Sequence, residues 1–143
     1  MILQEKNKNI LVIGSHPDDI EYSCAGTLLK LKEKYNCKIK CFILSFGSKG
    51  DESSGIARVL ETKEALKSGR ITENIIVKER FFPISPNINE ESDEIRNEIL
   101  NFNPDLIFTH SPHDTHQEHI QTHQITITAA RRLKLSILEY PML

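Results

Sequence analysis

The chain has 143 residues and a mass of 16.4 kDa, with 18 Lys and Arg against 20 Asp and Glu, for a formal net charge of −2. That size suits one domain spanning residues 1–143, and the near-neutral balance excludes a protein that wraps nucleic acid electrostatically. A hydrophobic fraction of 38% beside 27% charged residues excludes a disordered tail, a fibre and a membrane-embedded chain.

The opening segment MILQEKNKNILVIG has no continuous apolar stretch followed by a small-residue cleavage site, so no secretory signal is expected. Residues 9–14 (NILVIG) form a short β-branched run closed by glycine, the pattern of a buried strand. Apolar residues Ile20, Cys24, Leu28 and Leu31 then recur at helical spacing, predicting a helix over 18–35. A strand over 38–45 (KIKCFILS) leads into a glycine-bearing loop, 46–50. A helix over 56–68 follows, with Gly69 placed as its C-cap. Residues 74–82 give a weaker strand stopped by Pro83 and Pro86. A helix over 89–102 turns Ile95, Ile99 and Phe102 inward. Residues 105–110 (DLIFTH) read as a strand, 116–133 as a helix, and 136–140 as the start of another strand.

Repeated β-α units predict an α/β fold: a mainly parallel, doubly wound sheet with helices on both faces. The chain stops just after the last predicted strand, so the pattern reads as truncated at its carboxyl end. A fresh strand with no covering layer leaves an open edge that a homo-oligomer would cover. Apolar runs such as Ile10–Ile13 are too short to span a membrane. Cys24, Cys37 and Cys41 are odd in number and contain no C-x-x-C pair, which predicts reduced, buried thiols and a cytoplasmic location.

In open α/β sheets, ligands bind beyond the carboxyl ends of the strands. The chemically distinctive segments fall there: Ser15-His16-Pro17-Asp18-Asp19 after the first strand, 45–51 after the second, and 110–119 after DLIF. Pro17 suits an early helical position, which puts Asp18 and Asp19 in the first turn, roughly 100° apart around the axis. His16 and Asp19, three apart, can converge on one point and leave Asp18 facing elsewhere. Of the 6 histidines, 5 lie between His110 and His123. His116, His119 and His123 share a helix face. Imidazole is the usual neutral donor to zinc, and a catalytic zinc takes three protein ligands and leaves a position for water. One His and one Asp from the first loop plus one His from the second make such a set. Asp18 and either His116 or His123 remain to move protons and stabilise an oxyanion. The expected chemistry is metal-assisted hydrolysis of an amide-like bond. A magnesium phosphotransfer site is disfavoured, because magnesium prefers oxygen ligands.

His16-Pro17-Asp18-Asp19-Ile20-Glu21, followed by Cys24-Ala25-Gly26-Thr27-Leu28, resembles the HPDD-x-E…GGTL signature of the PIG-L (LmbE-like) zinc-dependent N-acetylglucosaminyl deacetylases. Pro112-His113-Asp114-Thr115-His116-Gln117-Glu118-His119 resembles their second signature, P-x-D-x-H-x-D-H. Arg58, Glu61 and Ala65 fit the family's R-x-x-E-x-x-x-A helix. The resemblance covers the amino-terminal part of the family's usual length. It implies a Rossmann-like fold and a zinc ion held by His16, Asp19 and His119. Asp18 matches the general base, and His116 the general acid and oxyanion stabiliser. Glu118 stands where the family has Asp, the residue that orients that histidine. Asp114 and Arg58 match positions that contact the sugar. The implied substrate is a small-molecule N-acetylated amino-sugar conjugate. The alternative is a truncated relative that binds zinc and sugar with little or no turnover. His123 is expected to be a helix-face residue.

Overall fold

Strand β1, Asn9–Gly14, is apolar on both faces, and its five residues after Asn9 are all buried. It therefore lies at the centre of the sheet. The computed structural model describes residues 2–47, 50–82 and 88–142. From β1 the chain runs through helix α1 (Asp19–Tyr35), strand β2 (Lys38–Ile43), helix α2 (Glu52–Ser68) and strand β3 (Ile75–Val77). It returns through helix α3 (Asn89–Phe102), strand β4 (Leu106–His110), helix α4 (Gln117–Ala130) and strand β5 (Ser136–Tyr140). All four strand pairings among these elements are parallel, in the order β3-β2-β1-β4-β5.

Alternation along β1 assigns the layers. Ile10 and Val12 pack with Ile20 and Leu28 of α1 and Val59 and Leu66 of α2. Leu11 and Ile13 pack with Ile95 and Ile99 of α3 and Ile125 and Ala129 of α4. The sheet is thus covered on both faces, as expected. Growth of the sheet reverses direction at β1: β2 pairs on one side of it and β4 on the other. The loops leaving β1 and β4 diverge to opposite layers and open a crevice at the switch point. Among the described residues, no helix is long and apolar enough to cross a membrane.

Several local expectations change: β2 ends at Ile43 and not 45, β3 spans only Ile75–Val77 of 74–82, and α4 ends at Ala130 and not 133. Helix α2 begins at Glu52, earlier than 56, because the Asp51 side chain accepts the Ser54 N–H at 2.7 Å and caps it. Asp18 does not join the first turn of α1. It stands before the helix in the left-handed region, φ 82°, and its side chain makes no capping bond. The predicted stops at Pro83 and Pro86, and Ser48 and Lys49 of the loop after β2, lie outside the described residues.

Candidate metal centre

The β1–α1 loop and the first residue of α1 bring His16 and Asp19 to the crevice, and the end of β4, the β4–α4 loop and the first turn of α4 bring His110, His116 and His119. Asp19 is the hub. Its Oδ2 lies 3.3 Å from His16 Nδ1, 3.3 Å from His110 Nε2 and 3.3 Å from His119 Nε2. It also accepts the His16 backbone N–H at 2.9 Å. Burial opposes the charge on Asp19, but the imidazoles of His110, His119 and His16 hold its carboxyl far below the usual range.

The outer nitrogens of these rings decide what the inner ones can do. His16 Nε2 lies 2.7 Å from Glu118 Oε1, and His119 Nδ1 lies 2.9 Å from Asp114 Oδ2. Each ring is thus held between two carboxylates, with His16 Nδ1 and His119 Nε2 turned toward Asp19. His119 Nε2 is buried and makes no aligned hydrogen bond despite its 3.3 Å approach to Asp19. Two imidazole nitrogens therefore face the Asp19 carboxylate oxygen, each 3.3 Å from it. Such a set is stable around a cation. Donors ~2.0–2.1 Å from a tetrahedrally coordinated ion stand about 3.3 Å apart, so the separations at Asp19 fit a bound metal. The same pull for positive charge acts on His119. Burial disfavours its imidazolium, but Asp19 and Asp114 outweigh burial and raise its pKa.

His110 contributes differently. Its Nε2 accepts the Ser15 backbone N–H at 3.0 Å, which occupies the lone pair a metal would need. Among the described residues, His16, His116 and His119 present ligand atoms within 4.8 Å of one another, as do Asp19, His110 and His119, so the expected set of His16, Asp19 and His119 is divided between two groups that share His119; His110 is better read as a brace for the β1–α1 loop. It is fully buried, stacks on His119 with centroids 4.0 Å apart, and has its pKa lowered chiefly by burial.

His116 is the N-cap of α4. Its Nδ1 accepts the Glu118 backbone N–H at 3.1 Å, leaving Nε2 as the protonated nitrogen of the neutral ring. Burial and then the neighbouring charges of His119 and His16 lower its pKa. The ring sits 5.0 Å from that of His16 and 4.5 Å from that of His119, centroid to centroid.

The remaining predicted residues take these places. Glu118, expected beside the His116 ring, puts its carboxylate on His16 instead, because α4 turns residue 118 toward the sheet while residue 116 caps the helix end. Asp114, expected against the sugar, is bonded to His119 and to the His116 backbone N–H at 2.8 Å. Arg58, likewise expected there, donates to the Phe46 carbonyl at 2.9 Å and the Pro17 carbonyl at 3.4 Å, tying two loops together. Asp18 is partly buried at the crevice edge. His123 Nδ1 bonds the His110 carbonyl at 2.9 Å. Two residues carried no predicted role. Thr62 Oγ accepts the Asp18 N–H at 3.0 Å and donates to Glu21 Oε2 at 2.9 Å. Burial pushes the Glu21 carboxyl up to about 7 against the Thr62 bond, and the Asp18 charge adds to the rise. The placement of Glu21 within the HPDD-x-E run was its signal; nothing marked Thr62.

A doubly wound α/β protein with two carboxylate-held histidines around a buried aspartate at its switch point is the class defined here. Residues 11–130 match the family model described as PIG-L, GlcNAc-PI de-N-acetylase, and the chain belongs to that family. It is 30% identical over 134 residues to the uncharacterized deacetylase YaiS of Escherichia coli (strain K12), covering 90% of this chain and 71% of YaiS. It is also similar to the crystal structure of the A40926 pseudoaglycone deacetylase Dbv21 (TM-score 0.80, 19% identity, 96% of this chain and 64% of that one). A third relative is the N,N'-diacetylchitobiose deacetylase of Pyrococcus horikoshii (TM-score 0.71, 20% identity, 86% of this chain and 49% of that one). The chain thus spans 64% and 49% of the length of these two solved relatives.

Proposed function

We propose that the chain is a metal-dependent hydrolase that removes acetyl from an N-acetylglucosamine-type amide, with zinc as the metal. The observation that carries this reading is the approach of His16 Nδ1 and His119 Nε2 to Asp19 Oδ2, each ring held on its other side by a second carboxylate. His16, Asp19 and His119 would hold the ion. When bound, zinc supplies a water whose pKa falls to roughly 7, and it polarises the amide carbonyl. Family membership and the deacetylases named above support the amide as the bond attacked.

The chain's own residues supply the proton traffic. Asp18 is free of any helix-capping bond, so its carboxylate takes the proton released as water adds to the acetyl carbon. Neutral His116 presents Nε2–H and donates it as a hydrogen bond to the carbonyl oxygen as negative charge develops there. Because Nδ1 is already bonded by the Glu118 N–H, His116 suits this role better than proton transfer to the amine. Asp18 then returns its proton to the nitrogen as the C–N bond breaks, giving acetate and a primary amine.

The test is zinc stoichiometry together with amine release from N-acetylglucosamine and N,N'-diacetylchitobiose. Wild type should bind one ion and release amine. Asp18→Ala should keep the ion and lose roughly 10²–10⁴-fold in turnover. His119→Ala should lose the ion. Unchanged turnover in Asp18→Ala, or a wild-type chain that binds no metal, overturns the proposal.

A further inference from the structure

We infer that Thr62 is a positioning residue for Asp18, holding the base's backbone in the left-handed conformation from across the interface between α1 and α2. The inference rests on the role proposed for Asp18 and adds a residue to it.

The hydroxyl of Thr62 bonds differently from those of the three α4 threonines, Thr122, Thr126 and Thr128. A threonine inside a helix commonly satisfies its hydroxyl by bonding the carbonyl four residues back. Thr122, Thr126 and Thr128 of α4 all do so, each at 2.8 Å, to Glu118, Thr122 and Gln124. Thr62 reaches into another element instead. Fully buried, it accepts the Asp18 N–H at 3.0 Å and donates to Glu21 Oε2 at 2.9 Å. Glu21 accepts the hydroxyl proton and thereby aims the oxygen lone pair at the Asp18 amide. One hydroxyl thus links the Glu21 side chain to the Asp18 backbone.

Asp18 needs such a hold. A non-glycine residue at φ 82° lies in a sparsely populated region and persists where its surroundings over-determine it. Its carbonyl is fixed from one side by the Tyr22 N–H at 3.0 Å. Its amide is fixed from the other side by Thr62. Together these two bonds set the direction of the Cα–Cβ bond, and so where the carboxylate starts from. Without the Thr62 bond, residue 18 can relax toward ordinary helical backbone and swing its side chain away. Misplacement by about 1 Å can cost on the order of 10²-fold in rate.

The experiment compares Thr62→Val, which keeps the shape and removes the hydroxyl, with Thr62→Ser, which restores it. Four quantities are read: kcat, KM, zinc stoichiometry, and hydrogen exchange at the Asp18 amide. Thr62→Val should lower kcat about 10- to 100-fold with KM and zinc stoichiometry unchanged. Its Asp18 amide should exchange at least about tenfold faster, and Thr62→Ser should recover both readouts to within about threefold. A valine variant with wild-type kcat and exchange, a loss of metal along with activity, or a serine variant as impaired as the valine one overturns the inference. If Thr62→Val does not fold, Thr62→Ala carries the same expectations. If wild type releases no amine from any N-acetylated sugar, the deacetylase reading fails by itself. The exchange comparison then still decides: acceleration in Thr62→Val upholds the hold on residue 18, and unchanged exchange overturns it.

Discussion

Glu118 and His16 are separated by 102 positions in the chain and by 2.7 Å in space, with one carboxylate oxygen against one ring nitrogen. The contact crosses the switch point, from the helix after β4 to the loop after β1. It holds the His16 ring in the orientation that turns Nδ1 toward Asp19. Replacing such a partner of a metal-binding histidine typically costs 10–100-fold in metal affinity. Glu118→Ala should therefore weaken zinc binding by roughly that factor, measured by competition with a chromophoric chelator. Glu118→Gln keeps an accepting oxygen and should fall between the two. The α4 cap uses the backbone N–H of residue 118, so both variants should retain the helix. Wild-type affinity in Glu118→Ala would show that the bond does not tune the ligand.

Most of the fold was legible because the layers are regular. The predicted boundaries of β1, α3 and β5 coincide with those observed, since a buried strand and a helix with a sharp apolar face each leave a clean period. What failed to show was tertiary. The αL backbone of Asp18 depends on a hydroxyl 44 positions away, and no local pattern announces it. Gly69 is the C-cap of α2, as expected, but it stays right-handed at φ −73°, and the left-handed residue is Arg70 after it, at φ 60°. At the site, the sequence put His16, Asp19, His116 and His119 at the carboxyl ends of two strands and the helix starts that follow them, which the topology brings together. It did not reveal which carboxylate serves which imidazole. Arg58, Asp114 and Glu118 share a chemistry that fits several partners, and only packing chooses among them.

Two helical glycines should respond to alanine with opposite signs. A Cβ built on Gly55, at the start of α2, would lie 2.6 Å from Phe46 Cγ. The ring cannot absorb that without shifting, and Phe46 is buried and carries the carbonyl that Arg58 binds. Gly55→Ala should destabilise by about 1–3 kcal/mol, as overpacking does. Gly26, inside α1, meets nothing within 4 Å. Gly26→Ala should stabilise by about 0.5–1 kcal/mol through the helix preference of alanine. Urea unfolding midpoints of the two variants check both signs, and a stabilised Gly55→Ala would contradict the packing at Phe46.

The buried thiols give a prediction with a defined pH window. Burial, reinforced by the charge of Glu21, pushes the Cys24 thiol up to about 12, and burial raises Cys41 as well. At pH 8 the thiolate fraction of Cys24 is then on the order of 10⁻⁴, and the thiolate is the reactive form. Neither thiol should react with an alkylating reagent in the native chain, and both should react once it is unfolded; mass spectrometry of the labelled peptides reads the sites. The same shift is a stability term. A thiol whose folded pKa is raised binds its proton more tightly in the native state. Its contribution is fully present below the unfolded value near 9 and is lost as pH rises toward 12. Stability should therefore decline over that interval. Cys24→Ala should begin less stable, because it opens a cavity in the core, but should decline less steeply than wild type. Parallel slopes for the two chains from pH 8 to 11 would mean that Cys24 contributes nothing to the alkaline transition.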